Sequence, residues 1–363
     1  MVSQHRAILR IFSFQRVLIP VLIGFAVIGY MMASDLSGSD LKSVTIDAKA
    51  IFFFILAILM VVVRDIAYIY RIRLLTNYAL SWKRAFQVIF LWEFSSSVTP
   101  SAVGGSAIAI FILSKEKLGT GRAAATVMIT TLLDELFYIL LVPLTILFAG
   151  LERLSVEGQD FFFLGMKFTT MGIFSLGYLI IAVITFLLAY GVFINPGGLK
   201  WLLIRLTKFR IFRKFHEAAI QTGDQIVESS AEFRSKSVTF WLHASLATAF
   251  AWIARFLVVN FLISGFTGIA TLGDHFLIMA RQLMMWVIML VSPTPGGSGI
   301  AEFFFPIFLR EFIAGTVTDI TMLVALSWRF LTYYPYLIIG ALVLPFWLRR
   351  VYLGRKLIRF RKD

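Results

Sequence analysis

The stretch "SPTPGGSGIAEFFF", residues 292–305, interrupts one of the most apolar parts of the sequence. The segment "LIMARQLMMWVIMLV" leads into it, and further aromatic and aliphatic residues follow it. Proline lacks the amide N–H that a helix needs, and glycine permits backbone conformations that end one. The carboxylate of Glu302 comes directly after these helix-breaking residues. A polar break of this kind inside an apolar segment predicts two helices that turn back on each other within a membrane.

The composition supports a membrane location. Of the 363 residues 59% are hydrophobic and only 15% are charged, and the mean hydropathy is +0.87. Continuous apolar windows of about 20 residues predict an all-α, polytopic integral membrane protein. A porin-type barrel would instead show alternating polar and apolar residues. The sequence has no cysteine, which excludes disulfides, thiolate metal sites and cysteine nucleophiles.

The apolar windows predict about six full membrane spans and two interrupted segments. The first window is long and is followed by others, so we interpret it as a retained helix and not as a cleaved signal peptide. The two interrupted segments are 85–113 and 275–313, and we expect each to be a re-entrant helical hairpin. The six spans are expected near 17–33, 50–70, 123–150, 169–193, 239–264 and 320–347.

Lys and Arg are distributed unevenly between the predicted spans. The segments that should share one side of the membrane carry 25 of them, and the segments on the other side carry five. Because basic loops stay in the cytoplasm, both termini are expected there, in a cytoplasmic (inner) membrane. The net charge of +14 is then explained by orientation and by contact with anionic lipid, and nucleic acid is not expected as a partner.

This orientation predicts two halves of opposite topology. Residues 1–165 and 166–348 would each contain span, span, hairpin and span, and the second half would begin on the opposite side. The cytoplasmic loop 194–238 and the basic tail 349–363 complete the chain. The first part of that loop resembles an amphipathic helix lying on anionic lipid, with a solvated linker helix as the alternative.

The breaks "SSSVTPSAVGG" (95–105) and "SPTPGGSG" (292–299) fall at corresponding places in the two halves. Matched Gly/Pro interruptions indicate a binding site near the membrane midplane. A helix restarting after such a break offers free N–H groups that suit a phosphate. The alternative is a pair of complete spans joined by a surface turn. The predicted site contains Thr99, Pro100, Gly104, Gly105, Ser106, Thr294, Pro295, Gly296, Gly297, Gly299 and Glu302, with added hydroxyls from Ser101 and Ser298.

Nine charged residues fall inside the apolar segments. A charge at the centre of a membrane helix costs about 2.5–3.5 kcal/mol on insertion scales, so a functional role is the first hypothesis for each. Structural ion pairing is the alternative, and the arginines of the second half are candidate partners for Glu302, for the acids of the first half or for an anionic ligand. The nine are Arg64, Asp65, Glu93, Asp134, Glu135, Arg255, Arg281, Glu302 and Arg329.

Catalytic signatures are missing from the sequence. The four histidines show no metal-ligand spacing, and no nucleophile–base constellation appears. We therefore predict no catalytic residue, no metal and no cofactor.

Three motifs resemble a known family: "TPSAVGG" (99–105), "LLDEL" (132–136) and "PTPGGSGIAE" (293–302). They look like the lysylphosphatidylglycerol synthase transmembrane-region family, also called flippase-like or UPF0104 proteins, over nearly the whole chain. That family includes the membrane half of the multiple peptide resistance factor, to which movement of aminoacylated phosphatidylglycerol between leaflets is attributed. Relatives often carry an acid after the first Gly-Gly, where this chain has Ser106. The soluble aminoacyl-transferase half has no counterpart here, so the resemblance does not imply synthase activity.

The sequence therefore predicts a non-enzymatic lipid flippase that moves a phosphate-bearing headgroup, with aminoacylated and glycosylated headgroups both left open. One alternative is an integral-membrane lipid transferase with Glu302 or Glu135 as general base. Another is a proton-coupled carrier of a soluble anion. A membrane lipid is the expected substrate. Two protein partners are left open, a second copy of the chain and a separate lipid-synthesising enzyme.

Overall fold

The computed structural model describes residues 47–99, 101–154, 160–163, 166–209, 213, 216–268, 271–290, 294–313 and 320–353. The helices within these ranges are α1 (Ala48–Leu75), α2 (Trp82–Val98), α3 (Ser101–Leu113), α4 (Thr120–Ala149), α5 (Leu151–Leu154), α6 (Thr170–Ala189), α7 (Pro196–Leu206), α8 (His216–Arg234), α9 (Val238–Thr267), α10 (Leu272–Leu290), α11 (Ile300–Leu309), α12 (Thr321–Thr332) and α13 (Tyr334–Leu348). Between α5 and α6, β1 (Asp160–Phe163) pairs antiparallel with β2 (Met166–Thr169).

The prediction of an all-α polytopic membrane protein is confirmed, with this small β-hairpin as an addition. Five helical segments in the described part of the chain are long and apolar enough to cross a membrane. They are Ala48–Leu75, Thr120–Ala149, Thr170–Ile194, Val238–Thr267 and Thr321–Val351. The predicted span 17–33 lies outside the described residues.

One predicted span is not continuous. The sequence predicts a single helix over 320–347, but α12 ends at Thr332 and α13 begins at Tyr334. Tyr333 between them has φ −127° and ψ −60°. Pro335 follows in the first turn of α13, where its missing N–H leaves no helical hydrogen bond unmade. The last span therefore contains a third break.

Helices α1 and α9 run antiparallel and pack closely against each other. Near one end, a Cβ on Gly265 of α9 would lie 3.5 Å from the carbonyl oxygen of Ala50 in α1. Further along the pair, Nη1 of Arg71 in α1 donates to Oγ1 of Thr248 in α9 at 2.8 Å. Small residues at the contact let the two backbones approach closely, as is common between membrane helices. The hairpins pack around this pair.

Helices α2 and α3 form the first hairpin. They have 17 and 13 residues, or about 25 Å and 20 Å of helix, against about 30 Å of bilayer hydrocarbon. Thr99 ends α2 in an extended conformation, and its hydroxyl donates to the carbonyl oxygen of Ser95 at 2.6 Å. The lengths and the close packing favour a re-entrant hairpin over two full spans.

Helices α10 and α11 form the second hairpin. Helix α10 has 19 residues and α11 has ten, so α11 is only about 15 Å long. A 3₁₀ turn, Pro295–Gly297, leads to Gly299, which precedes α11. Gly296, Gly297 and Gly299 have φ of 58°, 66° and 83°, a left-handed region that glycine enters without steric strain. The glycines of the opening sequence stretch thus build the turn.

Polar contacts tie several loops together at each end of the bundle. At one end, Arg350 follows α13 and donates from Nη1 to Oε2 of Glu116, in the turn after α3, at 2.9 Å. Its Nη2 also donates to Oε1 of Gln87 in α2 at 2.9 Å. At the other end, Arg281 of α10 donates to the carbonyl oxygen of Arg153 at 2.9 Å. The first end contains basic segments and the second contains the poorly basic connections.

Candidate functional site

The three helix breaks meet at one place, which we call the junction: Ser97, Gly296, Ser298, Glu302, Arg329 and Tyr333. The Tyr333 hydroxyl donates to the carbonyl oxygen of Ser97 at 3.2 Å and accepts from Oγ of Ser298 at 3.1 Å. A Cβ on Gly296 would lie 2.4 Å from Cε2 of Tyr333 and 3.2 Å from Cα of Ser97. Only glycine fits Gly296, because both the space and the positive φ exclude a side chain.

Glu302 holds the junction together. Its Oε2 accepts from the amide N–H of Gly299 at 2.8 Å, and its Oε1 accepts from Nε of Arg329 at 2.7 Å. The terminal nitrogens of Arg329 lie 3.3 and 3.4 Å from the carbonyl oxygen of Gly296. The side chains of Glu302 and Arg329 are 1% and 5% exposed. Arg329 is therefore the described arginine that pairs with Glu302, and both groups are enclosed by protein.

A separate cavity of about 250 Å³ lies beside the junction and is lined by residues of α1, α2, α3, α4, α9 and α10. We call it the charged cavity. Apolar and aromatic walls that include Ile72, Trp92 and Leu290 surround the polar groups, and Ser106 of the first break lies on its wall. Its titratable lining groups are Tyr68, Arg71, Glu93, Asp134, Glu135, Tyr138 and Arg255.

Asp134 is fully engaged in this cavity. Arg71 donates to both of its oxygens, from Nη1 at 2.6 Å and from Nη2 at 3.0 Å. The indole Nε1 of Trp252 adds a third hydrogen bond at 2.9 Å. A bidentate arginine contact fixes a carboxylate in position as well as neutralising it. This pair is therefore part of the framework of the cavity.

Arg255 is held much less firmly. Its Nη2 lies 3.5 Å from Oε1 of Glu93 and 3.3 Å from the Tyr68 hydroxyl, and its Nε has no hydrogen-bond partner among the described residues. The guanidinium lies 4.9 Å from the ring centroid of Trp252 and 5.0 Å from that of Trp286. Aromatic faces attract a cation without using its hydrogen-bond donors. Arg255 is thus positioned by rings and keeps donors for an anion.

Glu135 follows Asp134 on the same helix but has a different environment. Its Oε2 is buried and has no hydrogen-bond partner in the described part of the chain. Consecutive helical residues point in directions about 100° apart, so the contacts of Asp134 cannot serve Glu135 as well. The cavity therefore contains one weakly paired cation and one carboxylate with an unpartnered oxygen.

The structure places the other sequence-predicted charges elsewhere. Arg64 and Asp65 pair with each other at 2.8 Å, and the Tyr336 hydroxyl donates to Asp65 at 2.9 Å. Arg281 pairs with Glu311 at 2.8 Å and also donates to backbone carbonyls, so it is not the partner of Glu302. The Arg64–Asp65 pair and the Arg281–Glu311 pair therefore contribute to the packing between helices.

The first break differs from its expected form. The sequence predicts that a helix restarts after Gly105, but α3 already begins at Ser101, so both glycines lie inside it. A Cβ on Gly104 would lie 2.8 Å from Oγ1 of Thr99, and one on Gly105 would lie 2.1 Å from Oγ of Ser96. These glycines allow α3 to fold back against α2. Pro100 lies outside the described residues.

Sequence reasoning missed Arg71, Tyr68 and Trp252. The expected span 50–70 stops short of Arg71, whereas α1 continues to Leu75. A signal was available: Arg64, Tyr68 and Arg71 are spaced four and three residues apart, which places them on one helix face. Trp252 gave no such signal, because an aromatic residue in an apolar span is typical of packing.

Outside the membrane-spanning segments, α8 packs against the start of α4. Oε1 of Gln225 accepts from the amide N–H of Gly121 at 2.7 Å, and Arg122 pairs with Glu232 at 3.1 Å. Partial burial acts to raise the pKa of Glu232. Hydrogen bonds from Asn77 and Lys236 and the charge of Arg122 outweigh it, so that this pKa lies below its usual value. Helix α8 thus connects the loop 194–238 to α4, the helix that contains Asp134 and Glu135.

Comparison with known proteins identifies the family. The family model described as the lysylphosphatidylglycerol synthase TM region matches residues 17–340, so the chain belongs to this family and is a multi-pass membrane protein. A UPF0104 membrane protein of Archaeoglobus fulgidus is 23% identical over 285 residues, which cover 75% of this chain and 79% of the relative. No solved structure matches the chain.

Proposed function

We propose that this chain is a lipid translocase that moves a phosphate-bearing headgroup across the cytoplasmic membrane without changing it chemically. The observation that carries the proposal is Arg255, a cation at membrane depth in the charged cavity, whose Nε has no hydrogen-bond partner among the described residues. Buried charges in membrane proteins mark substrate pathways when their pairing is incomplete. Membership of the lysylphosphatidylglycerol synthase TM-region family supports a lipid-related role.

The size of the charged cavity supports a headgroup as its ligand. Pockets that enclose a drug-sized ligand have volumes of about 300–1,000 Å³, and this cavity measures about 250 Å³. It can hold a headgroup while the two acyl chains stay in the lipid. The side chains of Glu93 and Arg255 are 25% and 13% exposed, so a ligand can reach them. In this proposal the phosphate displaces Glu93 from Arg255.

The proposal includes an orientation. The loop that contains Asn77, the turn with Glu116 and the segment that begins at Arg350 lie at one end of the bundle, as their contacts with α2, α4 and α8 indicate. These are the basic segments, so we place them, and both termini, in the cytoplasm. The two hairpins then enter from opposite faces, and their tips meet at the junction.

Proteoliposomes test the proposal. The purified chain is reconstituted with fluorescent phosphatidylglycerol, phosphatidylethanolamine, a glycolipid or a polyprenyl phosphate, and the outer leaflet is bleached by dithionite. We expect the chain to move at least one phosphate-bearing probe, and Arg255→Gln to abolish that movement. Arg310→Gln, which removes an exposed arginine from the turn after α11, is the control and should behave like wild type.

Several outcomes contradict this proposal. If no phosphate-bearing probe moves, or if Arg255→Gln moves it at the wild-type rate, Arg255 is not a headgroup site. Mass spectrometry of the recovered lipid separates the alternatives. A covalently altered lipid would favour a transferase with Glu135 as general base. Uptake of a soluble anion without lipid movement would favour a solute carrier.

A further inference from the structure

We propose that Glu135 carries a proton during the transport cycle and thereby couples headgroup movement to the proton gradient across the membrane. The proposal rests on the proposed function, since it concerns the same cavity, and it adds the source of energy. Glu135 takes up this proton from water on one side of the membrane and releases it on the other.

Two neighbouring carboxylates of the cavity have different hydrogen-bond partners. Asp134 receives two hydrogen bonds from Arg71 and one from Trp252. Glu135, one residue further, presents a buried Oε2 without a partner among the described residues. A charged carboxylate at this depth needs a cation or hydrogen-bond donors to remain ionised, and otherwise binds a proton. Glu135 is the acid of the cavity that lacks these partners.

The charged groups that line the cavity do not balance. Its lining contains two arginines, Arg71 and Arg255, and three carboxylates, Glu93, Asp134 and Glu135. One carboxylate is therefore in excess. Arg71 is occupied by Asp134, and Arg255 lies nearest to Glu93. A single proton on Glu135 makes the lining neutral.

Among the residues that the structure describes, the cavity lining contains no cation besides Arg71 and Arg255 that could take the role of the proton. Helix α3 (Ser101–Leu113) carries no ionisable residue. On other helices packed against α4, the Tyr178 hydroxyl of α6 donates to the carbonyl oxygen of Ile139, Arg281 of α10 lies beyond the far end, and Glu232 of α8 lies at the near end. The titratable groups that share the cavity with Glu135 are Tyr68 and Arg71 of α1, Glu93 of α2, Asp134 and Tyr138 of α4 itself, and Arg255 of α9.

Electrostatic repulsion couples the binding of the headgroup to the binding of the proton. A phosphodiester bound at Arg255 brings one more negative charge into a lining that already has one in excess. Protonation of Glu135 removes that repulsion, so the proton and the phosphate each favour the binding of the other, as linkage requires. A monoanionic headgroup and one proton cross together as a neutral pair. Transport should therefore respond to a pH gradient and not to the membrane potential.

The direct test of protonation does not depend on lipid movement. Infrared difference spectra of the reconstituted chain are recorded while the pH is changed, and the carbonyl band of a protonated carboxyl group is followed. We expect a band that disappears in Glu135→Gln and persists in Glu228→Gln, a variant of an exposed acid on α8. A spectrum of Glu135→Gln that retains every wild-type carboxyl band would overturn the proposal.

The functional test uses fluorescent phosphatidylglycerol, which carries one negative charge, in vesicles with an imposed pH difference of one unit. With one proton per lipid, we expect an asymmetry between leaflets of up to about tenfold in wild type and in Glu228→Gln, and none in Glu135→Gln. A wild-type asymmetry that follows a sodium gradient or the membrane potential overturns proton coupling. If the wild type moves no probe, the proposed function fails, and the infrared result still decides whether Glu135 binds a proton.

Discussion

Replacing Glu302 by Gln should destabilise the junction strongly. Glu302 and Arg329 are almost completely buried and lie 2.7 Å apart. Removing one member of a buried pair leaves an uncompensated charge and typically costs about 3–5 kcal/mol. The two donors use different oxygens of Glu302, and Gln would place its NH2 group at one of these positions, facing either the Gly299 amide or Nε of Arg329. The favourable interaction of the acid with the start of α11 is lost as well, at about 0.3–1 kcal/mol.

The matched control is Glu311→Gln, the same substitution two positions beyond α11. Glu311 pairs with Arg281 at 2.8 Å, but its side chain is 64% exposed. A pair of this kind contributes at most about 1 kcal/mol. Arg281 also keeps its bonds to the carbonyl oxygens of Arg153 and Phe308 without it. The control should therefore unfold almost like wild type.

Unfolding can be followed by tryptophan fluorescence in mixed micelles of increasing denaturing-detergent fraction. We expect Glu302→Gln to unfold at a lower fraction of denaturing detergent than Glu311→Gln. The free energy of unfolding of Glu302→Gln should be lower by several kcal/mol. The double variant Glu302→Gln/Arg329→Met should recover part of the loss, because no buried charge is left unpaired. Equal stability of Glu302→Gln and wild type would refute the structural role. If that stable variant also failed to move lipid, a role of Glu302 in transport would gain support.

Three further predictions concern the ends of the bundle. Single cysteines at exposed Lys117 and Gly273 should react with impermeant reagents only from the cytoplasm and only from outside, respectively; labelling of both from one side would contradict the inverted orientation. Phe209 follows the basic helix α7, and its side chain is 63% exposed. A spin label at this position should be relaxed more by oxygen dissolved in the membrane than by an aqueous nickel complex. Stronger relaxation by the nickel complex would place this segment in water. The pKa of Glu232 is lowered in the folded chain, so its stabilisation of α8 is present above the ordinary carboxyl pKa and is lost as the pH falls through the lowered value. Hydrogen exchange of the α8 amides should therefore become faster in acid. The variant Glu232→Gln should remove this pH dependence.

The sequence predicted the architecture well because the relevant signals are local. Apolar windows, the basic loops and the Pro/Gly breaks each depend on neighbouring residues. Within the described part of the chain the predicted spans are helical, the last of them as two helices. The third break, at Tyr333, also had a local signal in the Pro335 that follows it, but the apolar run was given more weight. The inverted repeat and the re-entrant depth of the hairpins stay predictions.

The binding geometry could not be predicted in the same way. Arg71 and Asp134 are 63 residues apart in sequence, and Tyr333 and Ser97 are 236 apart. Composition and periodicity indicate which residues are buried in a helix, but not which helix lies opposite. The pairing of Glu302 with one of three arginines was foreseen as a set of alternatives, and only the packing of α12 against α11 selects Arg329.

The helix breaks and the charged cavity differ in how completely their polar groups are paired. The binding of a phosphate by the Gly/Pro motifs stays a prediction, and Gly104, Gly105 and Gly296 also allow close contact between helices. Groups with all their partners in place, such as Glu302, lose contacts when a ligand arrives. Arg255 and Glu135 retain unused atoms, so a ligand or a proton adds contacts there, which is the condition for a site to favour its bound state. The Gly/Pro motifs therefore shape the close packing of the hairpins, and in the proposed function the headgroup exchanges contacts with residues outside them.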